Sequence, residues 1–201
     1  MTKNALIIFT RNPELGKVKT RLAKSIGDES ALAVYKYLLN HTEKEARSIK
    51  AKKTVYYSVE IHHNDIWGDN LYHKDLQQGN DLGERMLNAF KGQFEKGCEN
   101  VIIIGSDLPR LSSEIVEKGF KVLQNHDVVM GPAQDGGYYL LGMRQLEEAL
   151  FKNKSWSTKQ LLEETISELI NKNLSFSLLE TLNDIDTFED LKEHPELLKL
   201  I

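Results

Sequence analysis

Short apolar runs with polar or glycine-bearing exits alternate along this chain with stretches of helical periodicity. Ala5 to Thr10, Val101 to Ile104 and Asp127 to Met130 are dense in Ile, Val and Leu, as expected of strands buried on both faces. Thr54 to Glu60, Tyr138 to Leu141 and Ser175 to Leu179 extend the set of strands. One more short strand is expected near Tyr72, within the otherwise polar stretch Ile61 to Gln78. Between them, Leu32, Tyr35, Leu38, Leu39, Thr42, Ala46 and Ile49 fall on one side of a long helix with Asp28 as its N-cap. Asp81 caps a helix carrying Leu82, Met86, Phe90 and Phe94, which Gly97 ends. Ser112 or Ser113 starts a helix with Ile115, Val116, Gly119, Phe120 and Leu123. A short helix is predicted over Gln145 to Phe151. Ser157 or Thr158 opens one that uses Leu161, Leu162, Thr165, Ile166, Leu169 and Ile170, and Thr187 to Glu193 forms the last. The alternation predicts an α/β fold, a three-layer sandwich around a mainly parallel sheet, as one domain over residues 1–201.

Composition narrows the function classes. At 201 residues, 40% hydrophobic and 28% charged, the chain has the make-up of a soluble globular domain. A net charge of -4 argues against general nucleic-acid binding. Cys98 is the single cysteine, so no internal disulfide forms and a thiolate zinc site is disfavoured. His62 and His63 have no metal-ligand spacing to another His or Cys. The first residues read as a strand rather than a signal peptide, and no apolar stretch approaches the roughly 20 residues that span a bilayer. A cytoplasmic protein without a membrane span is expected.

Four segments carry chemistry. Arg11, Lys17, Lys19 and Arg21 fall in the loop after the first strand, with Gly16 among them and only Glu14 opposing. Positive charge and a backbone opened by glycine suit phosphate; a solvated basic turn is the plainer alternative. The spacing is neither a Walker P-loop nor a dinucleotide GxGxxG. Gly105-Ser106-Asp107-Leu108-Pro109 places an aspartate at a strand exit, where it could ligate magnesium or form an Asx-turn. Asp135-Gly136-Gly137-Tyr138-Tyr139 combines a carboxylate with two glycines that permit close ligand approach, and it also reads as an Asp-Gly hairpin turn. If Tyr138 and Tyr139 begin a strand, only one is expected to face the crevice. Asp184-Ile185-Asp186-Thr187 is a literal DxD, although Asp186 or Thr187 could equally cap the final helix. Trp156 reads either as a lid or as core.

Taken in order with Asp81-Leu82-Gly83-Glu84-Arg85-Met86 and Trp156-Ser157-Thr158, these segments resemble the bacterial glycosyltransferase-A-like family often labelled radical-SAM/selenodomain-associated transferase. That family is related to 2-phospholactate guanylyltransferase and molybdenum-cofactor guanylyltransferase. The resemblance runs nearly the whole chain and implies the Rossmann-like nucleotide-diphospho-sugar transferase fold. It further implies that Arg11, Gly16, Lys17, Lys19, Arg21, Asp81, Gly83, Arg85 and Ser106 bind the nucleotide. Asp107, with Asp184 or Asp186, would bind Mg2+ or Mn2+. Asp135, Gly136, Gly137, Tyr138, Trp156 and Ser157 would face the acceptor, and Asp107, Asp135 and Lys19 would be catalytic. The first loop lacks the glycine-rich pattern of typical sugar nucleotidyltransferases, and Phe188 stands where the late motif usually has proline.

The expected function is therefore a metal-dependent transferase acting on a nucleotide or nucleotide-sugar and a small-molecule acceptor. Such catalysis is largely positioning and electrostatics. Glycosyl transfer is the leading reaction and nucleotidyl transfer to a phosphorylated acceptor is close behind. A catalytically silent nucleotide-binding protein is the remaining alternative.

Overall fold

The computed structural model describes residues 2–156 and 158–201. Seven strands form one sheet: β1 (Asn4–Thr10), β2 (Lys52–Tyr57), β3 (Tyr72–Leu76), β4 (Asn100–Ile104), β5 (Val128–Pro132), β6 (Tyr138–Met143) and β7 (Phe176–Leu178). Their spatial order is β3-β2-β1-β4-β6-β5-β7. All neighbours are parallel except β6, which runs antiparallel to β4 and β5. The sheet is thus mixed and mainly parallel, as the alternation of elements predicts.

Side-chain parity explains the three layers. Along β1, Leu6 and Ile8 join one apolar cluster while Ala5 and Ile7 join another, and β4 divides Ile102 and Ile104 from Val101 and Ile103 in the same way. Helices α2 (Asp28–Arg47) and α4 (Ser113–Val122) cover the first face. Helices α3 (Leu82–Glu95) and α5 (Leu161–Asn171) cover the second. Cys98 is buried in the turn between α3 and β4.

Several boundaries differ from the sequence expectation. A seven-residue helix, α1 (Thr20–Ile26), precedes α2, and Gly27 at φ 84° separates the two. Asp28 therefore sits inside the first turn of α2 and is not its N-cap. Strand β2 ends at Tyr57 instead of Glu60 because the backbone of residues 59–60 is claimed by Asn12. The helix expected from Ser157 or Thr158 begins at Leu161, since the Thr158 hydroxyl donates back to the Ser155 carbonyl rather than capping forward. A 3-10 turn, Glu148–Leu150, replaces the short helix over Gln145 to Phe151. Leu82 and Ile170, assigned to buried helix faces, are 42% and 60% exposed.

Chain order creates the crevice. From β1 the chain passes through α1 and α2 to β2 on one side, whereas the adjacent β4 leads through α4 towards β5 on the other. The connections diverge beyond the carboxyl ends of β1 and β4, which is where open α/β sheets bind ligands.

A third apolar cluster fixes the C-terminal segment. Ile185, fully buried, packs with Leu22 of α1, Val34 and Leu38 of α2, and Leu191 and Leu197. The final helix α6 (Phe188–Lys192) is closed by a capping box between Thr187 and Asp190. Replacing Ile185 by Ala removes the buried side chain that holds this segment down. The expected cost is about 2–5 kcal/mol, read as a lower urea midpoint; an unchanged midpoint would mean that the cluster does not anchor the tail.

Candidate functional site

Lys19 ends the loop after β1 and serves as the N-cap of α1 in a left-handed conformation, φ 47° and ψ 43°. A residue with a side chain pays on the order of 1–3 kcal/mol for such a backbone, and such strain gathers at functional sites. The Lys19 side chain is only 5% exposed, and its Nζ donates to Asp107 Oδ2 at 2.8 Å. It also lies 3.9 Å from Asp184 Oδ2. Residues 88 and 165 positions away thus meet one ammonium at the point where the chain connections diverge.

The loop that carries Lys19 is held by buried polar contacts. Asn12 accepts the N–H of Val59 at 3.0 Å and donates to the Glu60 carbonyl at 2.8 Å. The Tyr35 hydroxyl, from α2, accepts the Arg11 N–H at 2.9 Å and donates to the Arg11 carbonyl at 3.1 Å. Ser106 is buried and donates to Thr10 Oγ1 at 3.2 Å, joining the exit of β4 to that of β1. Opposite, the chain at Leu182 bridges Ala133, and the Leu182 N–H reaches the Pro132 carbonyl at 3.1 Å. With Ile185 buried behind them, Asp184 and Asp186 project the other way, as alternate residues of an extended segment do.

Charge at this junction is unevenly compensated. Burial pulls the Lys19 ammonium down, but Asp107, Asp184 and Asp186 more than offset it, so its pKa is raised and the group stays charged. Burial pushes the Asp184 carboxyl up to about 6; Lys19 opposes that rise, and the carboxylates of Asp107, Asp186 and Asp135 add to it.

Asp107, Asp135 and Asp184 border a cleft with about 210 Å³ of open space. Asp107, Asp135, Asp184, Gly137 and Tyr138 line it, as expected from sequence. Leu82, Leu108, Leu161, Tyr139 and Thr158 line it too and were not expected. Leu82 reads as one more core position of α3, but as the first residue of the helix it stays exposed and borders the cleft. Tyr138 and Tyr139 do pack into opposite clusters, yet both also border the cleft, which sits at the end of their strand. The Asp-Gly hairpin reading holds as well: β5 and β6 form an antiparallel pair, and Asp135 Oδ1 accepts the Gly137 N–H at 2.9 Å across the turn. Gly136 has φ 90°, and a Cβ there would come within 2.3 Å of the Lys159 carbonyl. Its own carbonyl accepts the Leu162 N–H at 2.9 Å, so the hairpin locks onto the start of α5.

Other sequence candidates stand apart from the cleft. Lys17 pairs with Glu14 at 2.6 Å, Arg21 pairs with Asp186 at 2.8 Å, and Arg11 is exposed. Gly16 adopts φ 73° beside Asp28. Asp81 caps α3 by accepting the Glu84 N–H at 2.8 Å, and Arg85 donates to the Gly79 carbonyl at 3.1 Å. Gly83 lets α3 approach Trp156, whose Nε1 lies 2.7 Å from where a Cβ would be; Trp156 itself packs on the second cluster. Ser157 lies outside the described residues.

Asp107 and Asp184 present hard oxygen donors of the kind magnesium and manganese take, with Lys19 between them. Among the described residues no group of three or more His, Cys, Asp and Glu side chains forms a metal cage. An ion held here would draw further ligands from phosphate and water, which magnesium does in phosphate-handling sites.

Without added metal, Asp184→Asn should melt higher than the unmodified protein at pH 7. The gain, discounted for the partial exposure of Asp184, is on the order of 1 kcal/mol, or about 2–4 °C. A raised carboxylate pKa destabilises the fold above the unfolded value near 4. The advantage should therefore fade between about pH 6 and pH 4, where the native carboxyl takes up its own proton. Scanning calorimetry in chelator at both pH values checks this.

Comparison with known proteins agrees with the fold. 2-phospho-L-lactate guanylyltransferase of Methanocaldococcus vulcanius is 26% identical over 193 residues, covering 94% of this chain and 83% of the relative. A crystal structure of a candidate nucleotide-diphospho-sugar transferase from Desulfovibrio desulfuricans G20 superposes with TM-score 0.87 at 27% identity, covering 99% of this chain and 98% of that one. The 4-diphosphocytidyl-2C-methyl-D-erythritol synthase of Anaerococcus prevotii shares the fold, with TM-score 0.66 at 13% identity over 98% of this chain and 96% of that one. Among the described residues, no helix is long and apolar enough to cross a membrane. The model of the family described as "Uncharacterized protein conserved in bacteria (DUF2064)" matches residues 45–158, and this chain belongs to that family.

Proposed function

We propose that the protein is a nucleotidyltransferase, moving a nucleoside monophosphate from a triphosphate to a small phosphorylated acceptor in the cleft beside Asp107 and Asp184. The observation that carries this reading is Lys19. A strained, buried lysine held between two carboxylates from distant parts of the chain is a costly arrangement. It is what a site for opposed charges, phosphate and cation, calls for. The guanylyltransferase named among the relatives spans nearly the whole chain, which favours nucleotidyl over glycosyl transfer.

In this reading Lys19, Arg21 and Lys17 supply positive charge to the phosphates, Arg21 and Lys17 leaving Asp186 and Glu14 to do so. Asp107 and Asp184 would hold a magnesium or manganese ion, which supplies Lewis acidity and charge neutralisation at the phosphates when bound. An oxygen of the acceptor phosphate attacks the α-phosphorus, the bond to the bridging oxygen breaks, and pyrophosphate leaves. The protein aligns these groups and forms no covalent bond itself. Asp135, at the hairpin tip, orients the acceptor; in glycosyl transfer the same carboxylate would take the proton of an acceptor hydroxyl.

The discriminating measurement is product analysis in magnesium or manganese. Pyrophosphate released from a triphosphate supports the proposal, whereas nucleoside diphosphate released from nucleotide-sugars, with no pyrophosphate from triphosphates, would replace it by glycosyl transfer. Asp107→Asn should fold and lose about 100-fold or more in turnover, and chelator should stop the reaction reversibly.

A further inference from the structure

The cleft has two chemically distinct sides. Its acidic side is Asp107, Asp135 and Asp184, and its apolar side includes Leu82, Leu108 and Leu161. Leu82 is the telling residue: it is the first residue of α3, 42% exposed, and the large apolar side chain it leaves in water borders the cleft. Among the described residues that line the cleft, none is Lys, Arg or His.

Charge accounting then limits what can sit beside the nucleotide. Three carboxylates face the single ammonium of Lys19, so this side of the cleft carries net negative charge. A divalent cation would bring it to neutrality without making it positive. Lys17 and Arg21 of the first loop are the further cations available to the triphosphate, and they stand outside the lining of the cleft. The triphosphate and the acceptor phosphate would share the divalent cation and the loop cations. Nothing lining the cleft pairs with a further anionic group, and a carboxylate brought near Asp135 against an apolar wall would be both repelled and desolvated.

Resting on the nucleotidyltransferase reading, we propose that the acceptor is a phosphate ester of an uncharged, partly apolar alcohol or polyol, and that Leu82 and Asp135 select against carboxylated acceptors. Leu82 supplies the apolar contact to the body of the acceptor. Asp135 takes hydrogen bonds from hydroxyls and repels carboxylate. This sets the chain apart from the relative named for 2-phospho-L-lactate, a carboxylated phosphate ester. The transfer itself is unchanged: an acceptor phosphate oxygen bonds to the α-phosphorus and pyrophosphate leaves with the electron pair of the broken bond.

The experiment pairs acceptors of similar size, glycerol phosphate against 2-phospho-L-lactate and 3-phosphoglycerate. It measures pyrophosphate release with a panel of triphosphates and, separately, acceptor binding by calorimetry. Glycerol phosphate should bind at least tenfold tighter than either carboxylated ester, and should be used at least tenfold better. Asp135→Asn keeps an oxygen to accept the Gly137 N–H, and should narrow the binding ratio about tenfold. Leu82→Arg, at an exposed helix start, should shift the preference towards the carboxylated esters by a similar factor. Equal or tighter binding of the carboxylated esters by the unmodified protein overturns the proposal, as does a preference that neither substitution moves. Absence of pyrophosphate with every triphosphate and acceptor would instead remove the reaction assignment, and the binding ratio would still decide the selectivity.

Discussion

One buried ammonium organises the functional end of this molecule. Lys19 lies within reach of Asp107 and Asp184, and neither carboxylate could sit so close to the other in a half-buried cleft without a cation between them. The compensation is incomplete, because three carboxylates border the cleft against this one ammonium; burial first, and then the neighbouring carboxylates, raise the pKa of Asp184. In the proposed function this shortfall is what a divalent cation would fill, and through that cation the phosphates. The strain at the Lys19 backbone is tolerated because its surroundings fix it from several directions: Asn12 and Tyr35 pin the loop, and α1 starts immediately after it.

Most of the architecture was legible from the chain. Parallel strands buried on both faces leave continuous apolar runs, and β1, β4 and β5 announce themselves that way. The Asp81 and Ser112 caps were visible because a side-chain acceptor at a helix start has a local signature. What was lost had non-local causes. α1 is too short to show a periodicity of its own and depends on Leu22 reaching the cluster around Ile185. The end of β2 was misplaced because its last expected residues bond to Asn12, some forty-six positions earlier in the chain.

The site divides along the same line. Asp107, Asp135 and Asp184 were identifiable because carboxylates at strand exits and in glycine turns are conspicuous in an α/β pattern, and they do converge. The basic loop divides in a way its density of charge does not show: Lys19 turns inward to the acids while Lys17 and Arg21 pair with Glu14 and Asp186, and no feature of the sequence marks the left-handed backbone of Lys19. Gly83, singled out as a nucleotide contact, is closely approached by the Phe151 carbonyl and the indole of Trp156, a packing role that the sequence does not reveal. Leu82 was hidden by its regularity, being one more apolar residue on a helix whose start happens to border the cleft. Periodicity identifies a face and says nothing about where the neighbouring layer stops.

The seating of Ile185 also bears on how the molecule is made. Asp184 lies 165 residues after Lys19 and 77 after Asp107, so both of those leave the ribosome before it. Until the segment around Ile185 has been made, the apolar patch formed by Leu22, Val34 and Leu38 lacks its cover and the cleft lacks Asp184. Docking of this segment thus completes the hydrophobic seal and the carboxylate set of the cleft in one event, so a chain that stops before Ile185 exposes a sticky surface and lacks one of the three acids.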